Sequence, residues 1–125
     1  MDKVVHFELP ADDVQRAKKF YQSSFGWGAM DMPEMKYVIM HTVAVDDQQM
    51  PKEAGAINGG MTKRNELVKA PSLSINVDDL AAAVNKVKTA GGTIVKDKIV
   101  VGDMGVMAYF KDTEGNILSL WQNLK

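Results

Sequence analysis

The chain has no cysteine among its 125 residues, which excludes disulfide staples, thiolate zinc sites, iron–sulfur clusters and cysteine nucleophiles together. It also lacks a dominant charge sign. Fifteen Lys and Arg against sixteen Asp and Glu leave a net charge of −1, which gives no electrostatic footprint for phosphate backbones or anionic lipid. Neither nucleic acid nor membrane is therefore an expected partner. Long hydrophobic runs are missing as well: stretches such as Tyr37 to Met40 fall far short of a membrane span, and the N-terminal MDKVVHFELPADD has no apolar core behind a basic region. A cytoplasmic location is the expectation. The patterns GxGxxG, GxxxxGK[ST], HExxH and GxSxG are absent, so nucleotide loops, zincins and hydrolase elbows lack their signatures.

What is present is the composition of an ordinary globular protein, 46% hydrophobic and 25% charged, at a length that predicts one compact domain over 1–125. Nine Met, as many as Phe, Tyr and Trp together, point to an adaptable apolar interior. Sliding the chain against itself by 66 residues lays VVHFELPADDVQRA over PSLSINVDDLAAA. Under this shift His6 meets Ser72, Leu9 meets Ile75, Asp12 and Asp13 meet Asp78 and Asp79, and Gly26 meets Gly92. Each copy reads as an alternating strand (Phe7 and Leu9; Leu73, Ile75 and Val77) running into paired Asp residues that cap a helix. The first helix carries Val14, Ala17, Phe20 and Tyr21 on one stripe and stops at Gly26; the second carries Leu80, Ala83, Val84 and Val87 and stops at Gly91-Gly92.

Strands are predicted over Met35–Val45 and Ala54–Met61 in the first half, and over Thr93–Val101, Gly105–Lys111 and Ile117–Asn123 in the second. The fold class is therefore α+β, an internal duplication of a βαβββ module: module 1 over about 1–62, a connector over 62–70 and module 2 over about 71–125. Asp112–Asn116 (DTEGN) has the residues of a tight hairpin turn, and Gly59-Gly60, inside a strand-like stretch, suggests a bulge or a close backbone approach.

HFELPADDVQRAKKFYQSSFGW, INGGM, INVDDLAAAVNKVKTAGG and GVMAYFKDTEGNILSLWQ together resemble the vicinal oxygen chelate superfamily, which holds glyoxalase I, bleomycin-resistance proteins and extradiol dioxygenases. The resemblance spans nearly the whole chain and is strongest to the small branch related to lactoylglutathione lyase. It implies two βαβββ modules whose curved mixed sheets enclose a cleft, where a divalent metal binds substrate oxygens through ligands on the first and last strands of each module. Carried onto this chain, those positions are His6, Ser72, Ser119, where metal-using members have Glu, and one near Asn58 or Gly59. Of these only His6 is a good ligand, so no resident metal is expected, and a divalent metal at His6 belongs to an alternative reading.

Strand alternation puts His6 and Glu8 on the face opposite Phe7 and Leu9. By the same parity Ser72, Ser74 and Asn76 share the equivalent face in module 2, with Ser119 and Trp121 on the final strand. His6 and Glu8 are the candidate catalytic residues. The candidate ligand-binding set is His6, Glu8, Ser72, Ser74, Ser119 and Trp121, with His6 contacting the ligand and Trp121 stacking on it. Trp27 reads as a hydrophobic plug at the corner after the first helix, and His41 as a sheet-face residue.

The function these residues predict is a glyoxalase-like protein that binds a small organic molecule in the sheet cleft. Two alternatives stand beside it: a metal-dependent lyase, isomerase or dioxygenase using His6 and Glu8, and an antibiotic-sequestering protein of the bleomycin-resistance kind. A homodimer is expected, because a module of about 60 residues buries only about 60% of its unfolded surface and its pairing geometry repeats readily across a two-fold axis.

Overall fold

The computed structural model describes residues 1–124 and gives both halves of the chain the same run of elements. The first half contains β1 (Lys3–Ala11), α1 (Val14–Phe25), β2 (Gly28–Met32), a 3-10 turn (Pro33–Met35), β3 (Tyr37–His41) and β4 (Asn58–Lys63). The second contains β5 (Ser72–Asn76), α2 (Leu80–Thr89), β6 (Thr93–Val101), β7 (Gly105–Lys111) and β8 (Ile117–Asn123). Two compact units result, His6–Pro71 and Met1–Val5 with Ser72 onward.

The duplication is one of topology as well as of sequence. Strand order is β2-β3-β4-β1 in the first module and β6-β7-β8-β5 in the second. In each, the first strand lies parallel to the last and the other neighbours are antiparallel. A parallel pair within one module needs a long crossover, and the helix with its two following strands supplies it.

Both helices start for the reason their sequences suggest. Asp13 and Asp79 sit at the N-caps, where their carboxylates accept hydrogen bonds from the backbone N–H of Arg16 and Ala82 at 3.0 and 3.1 Å. Gly26 ends α1 in the left-handed region at φ 71°. In module 2, Leu80, Ala83 and Val84 of α2 pack on Val106, Ala108, Phe110 and Leu120. In module 1, Met40 and Met61 are fully buried at the centre of a cluster to which Phe7, Leu9, Val14, Ala17, Tyr21 and Trp27 contribute. Trp27 stacks on Tyr21 with ring centroids 5.0 Å apart, plugging the corner after α1.

The strands of module 2 match the sequence reading; those of module 1 correct it. Instead of one strand over Met35–Val45, the chain makes β2, turns through Pro33–Met35 and a left-handed Lys36 at φ 51°, and re-enters the sheet as β3. β3 ends at His41 because the next two backbone N–H groups, of Thr42 and Val43, donate to the Asn58 side chain rather than to a neighbouring strand. The strand expected from Ala54 begins at Asn58, after Gly55 turns the chain at φ 83°.

Two residues of the apolar patterns read from the sequence lie largely exposed. Phe20 is 57% exposed, because the buried stripe of α1 runs through Val14, Ala17 and Tyr21 while Phe20 packs edge-on against Tyr21 and Phe25. Leu73 is 42% exposed at the head of β5, since α2 covers Ile75 and Val77 but not the start of the strand. The paired glycines of β4 resolve as a close approach with an unbroken register, not a bulge. Truncating a central residue should therefore cost far more than truncating a peripheral one: Leu120→Ala is expected to lose about 2–5 kcal/mol of unfolding free energy and Leu73→Ala less than about 1 kcal/mol. Urea unfolding of both variants checks this, and equal losses would contradict the assignment.

Candidate functional site

β1 and β4 run in parallel register, with His6 opposite Asn58, Phe7 opposite Gly59 and Glu8 opposite Gly60. Alternation turns Phe7 and Gly59 toward the helix-covered core and His6, Asn58, Glu8 and Gly60 toward the other face. Gly59 leaves room for the ring of Phe7 against its backbone. Gly60 leaves room, on the opposite face, for the end of the Tyr37 side chain, which a Cβ there would overlap. Tyr37 thereby crosses its neighbouring strand, and its hydroxyl lies 2.8 Å from Nε2 of His6.

Glu8 is 5% exposed and held by an interaction of its own. Burial pushes the His6 imidazolium down from 6.5 to about 4, so the ring is neutral at pH 7. A neutral imidazole has one N–H and one lone pair, and the Tyr37 hydroxyl can serve either.

Asn58 completes the polar face. Its Oδ1 accepts from the Thr42 N–H at 2.7 Å, the Val43 N–H at 3.2 Å and the Thr42 hydroxyl at 3.3 Å. Backbone N–H groups can only donate, so this atom must be the oxygen and the amide cannot be flipped. Its Nδ2 is buried and has no hydrogen-bond partner among the described residues.

The equivalent row of module 2 is closed on itself. The Ser72 hydroxyl donates to the Ile117 carbonyl at 2.8 Å, Ser74 and Ser119 share a hydroxyl–hydroxyl bond of 2.7 Å, and Asn76 donates to the Trp121 carbonyl at 3.2 Å. All three serines are buried, Ser119 completely. Trp121 donates its indole N–H to the Asn123 side chain at 2.8 Å and packs against the backbone at Gly105. An open groove of about 420 Å³ beside α2 is walled by Lys88, Lys98, Asp79 and Asp97 among others, charges of both signs, and among the described residues carries no orphaned buried polar atom.

A family model described as bleomycin resistance protein-like N-terminal matches residues 3–42. A glyoxylase-like domain-containing protein of Didymella fabae is 36% identical over 87% of this chain and 84% of its own length. The chain belongs to the glyoxalase-like vicinal oxygen chelate superfamily. It is also 26% identical to the lactoylglutathione lyase of Haemophilus influenzae, over 97% of this chain and 93% of that one. Of two mycobacterial relatives that carry a glyoxylase name, 32% identical, it spans 43% of the length. A methylmalonyl-CoA epimerase structure from Streptomyces coelicolor shares the fold with a TM-score of 0.67 at 14% identity, covering 98% of each chain.

The residues at this glyoxalase-like protein's metal positions do not fit a divalent cation. Asn58 turns an amide nitrogen, not its oxygen, to the unpartnered side, and an NH2 group is no ligand. Nε2 of His6 already has the Tyr37 hydroxyl, and the Ser72 and Ser119 hydroxyls are bonded to a carbonyl and to another serine. Among the described residues no three His, Cys, Asp or Glu side chains converge, and no helix is long and apolar enough to cross a membrane. Sequence reasoning placed His6, Glu8 and the serines on their faces but missed Tyr37 and the unpartnered amide nitrogen of Asn58. The signal for Tyr37 was Gly60, a strand glycine that makes room for a large neighbour.

His6 also carries a pH dependence with a definite sign. Its folded pKa of about 4 lies below the unfolded value of 6.5, so the unfolded chain binds the proton first. The stability that neutral His6 contributes is complete above about pH 6.5, is lost as pH falls, and levels off near pH 4, a change of about 3 kcal/mol. His6→Gln should therefore gain on the wild type by that order between about pH 7 and about pH 4 in paired urea titrations, and a constant gap would refute the buried neutral imidazole.

Proposed function

We propose that the protein binds a small organic molecule through the polar face of β1 and β4, with His6 in direct contact and Glu8 beside it. The observation that carries this is the His6–Tyr37 pair: a neutral imidazole and a phenol hydroxyl held 2.8 Å apart on a face whose other side is core. Such a pair can donate to and accept from a polar group while apolar neighbours take the rest of a ligand. Of the module 2 candidates, the Ser72, Ser74 and Ser119 hydroxyls are buried and bonded within that module and the Trp121 indole N–H is bonded to Asn123, so the proposed contacts rest on His6 and Glu8. Turnover would use His6 as a base that needs no prior deprotonation at pH 7. Self-association into a homodimer belongs to the same proposal, and sedimentation equilibrium tests it directly.

The match to a bleomycin resistance protein-like family favours a second reading, sequestration of an antibiotic without chemistry. The lyase reading suggested by the name of the Haemophilus influenzae relative lacks a metal-ligand set in module 1.

Thermal-shift screening against apolar ketones, aldehydes, thioesters and glycopeptide antibiotics is the test. A ligand at 100 times its Kd adds about 2.7 kcal/mol of stability. We expect at least one carbonyl-bearing class to raise Tm in the wild type and to do so much less in His6→Leu. A response to antibiotics alone, with resistance conferred on a sensitive host, would favour sequestration, and no response to any class would overturn both readings.

A further inference from the structure

The buried amide nitrogen of Asn58 is the single polar side-chain atom among the described residues that is out of water and has nothing to bond. Leaving such a donor unmatched costs about 1–3 kcal/mol, and a leucine of similar size would avoid the cost. The local fold explains half of the residue: Oδ1 ends β3 by accepting from Thr42 and Val43. That role needs only an acceptor, and aspartate would fill it equally well, so the NH2 group remains unexplained by the structure around it. Its surroundings say what it can take. Asn58 is opposite His6 in the β1–β4 register, Gly60 on the same face presents no side chain, and Tyr37 fills that gap with its hydroxyl on the imidazole.

We infer that Asn58 Nδ2 is the hydrogen-bond donor that recognises a neutral carbonyl oxygen of the ligand, alongside His6. This rests on the proposed small-molecule binding and deepens it by naming the ligand class. A carbonyl oxygen has two lone pairs and no proton, so it satisfies the amide without asking for an acceptor in return. A carboxylate is disfavoured, because an anion taken out of water beside a neutral imidazole finds no cation there to pair with. A cation has no lone pair to offer an N–H, and an alcohol would have to place its own hydroxyl hydrogen as well.

The test pairs two probes with one substitution. Acetophenone carries an apolar ring and a neutral carbonyl; ethylbenzene keeps the ring and lacks the oxygen. In ¹⁵N-labelled protein, acetophenone should shift the side-chain NH2 signals of Asn58, while ethylbenzene leaves them in place. Asn58→Asp retains the acceptor for Thr42 and Val43 but replaces the donor with an oxygen, so it should weaken acetophenone by about tenfold or more relative to ethylbenzene measured in the same variant. Equal binding of the two probes, insensitive to the substitution, would overturn the Asn58 assignment while leaving small-molecule binding intact. Contact of the NH2 with a resident water that acetophenone does not perturb, up to its solubility limit, would also overturn it. Should Asn58→Asp fail to fold, the wild-type amide shift alone decides. Failure of both probes together with a silent thermal-shift screen would instead bring down the underlying binding proposal.

Discussion

Two adjacent glycines in β4 set how closely the strands and side chains of module 1 can approach one another. Side chains alternate along a strand, so Gly59 and Gly60 leave open space on opposite faces. The space at Gly59 admits Phe7 against the backbone, which ties β1 to the cluster built on Met40 and Met61. The space at Gly60 admits the phenol of Tyr37, which reaches His6. Core packing and site geometry thus depend on one dipeptide, and a side chain at either position would disturb one of them. Glycine in a strand interior loses conformational entropy and packs nothing, so two in succession are tolerated where the close approach they permit offsets that loss.

The sequence was most legible where its local preferences and its tertiary setting agree. In module 2 the three strands after the helix follow the predicted bounds, because Gly102 and the Asp112–Asn116 turn punctuate them with left-handed glycines and an Asp that accepts from Glu114 and Asn116. Module 1 is punctuated by Gly26 and Gly55, but the turn between β2 and β3 is made by Pro33–Met35 and a left-handed Lys36, which carry no glycine. β2 is a short edge strand, GAMDM, bonded only to β3 and largely exposed, so its residues carry no alternating pattern. β3 stops where a side chain sixteen residues ahead captures the backbone N–H of Thr42, and nothing local announces that. The same limit applies to the site. Parity alone could put His6 and Glu8 on one face, but Tyr37 acts by reaching over a glycine on another strand, and the orientation of the Asn58 amide is fixed only by donors brought to it by the fold.

The two modules share a topology and differ in what they do at equivalent points of it. The 66-residue shift that relates the copies sends Glu8 to Ser74, and the parallel ladders pair Glu8 with Gly60 and Ser74 with Ser119. In module 2 that pair of positions closes with a hydroxyl–hydroxyl bond between two buried serines. In module 1 the corresponding place is left open by glycine and filled from a neighbouring strand by Tyr37. Duplication thus supplied two copies of one scaffold, of which one is sealed by short, mutually bonded side chains. The other keeps a titratable carboxyl, an imidazole and an unmatched amide together on one face.

Most of the polar groups gathered there are neutral, and their neutrality has a physical origin. An imidazolium taken out of water loses its hydration, which is why burial holds the pKa of His6 down to about 4. Amide and phenol dipoles carry a much smaller desolvation cost, and the bonds from Thr42, Val43 and His6 recover most of it. A face made this way discriminates by the direction of its donors and acceptors more than by net charge. In the proposed reading the unbonded Asn58 amide would set that direction, since a fixed dipole interacts most strongly with a partner oxygen out of water.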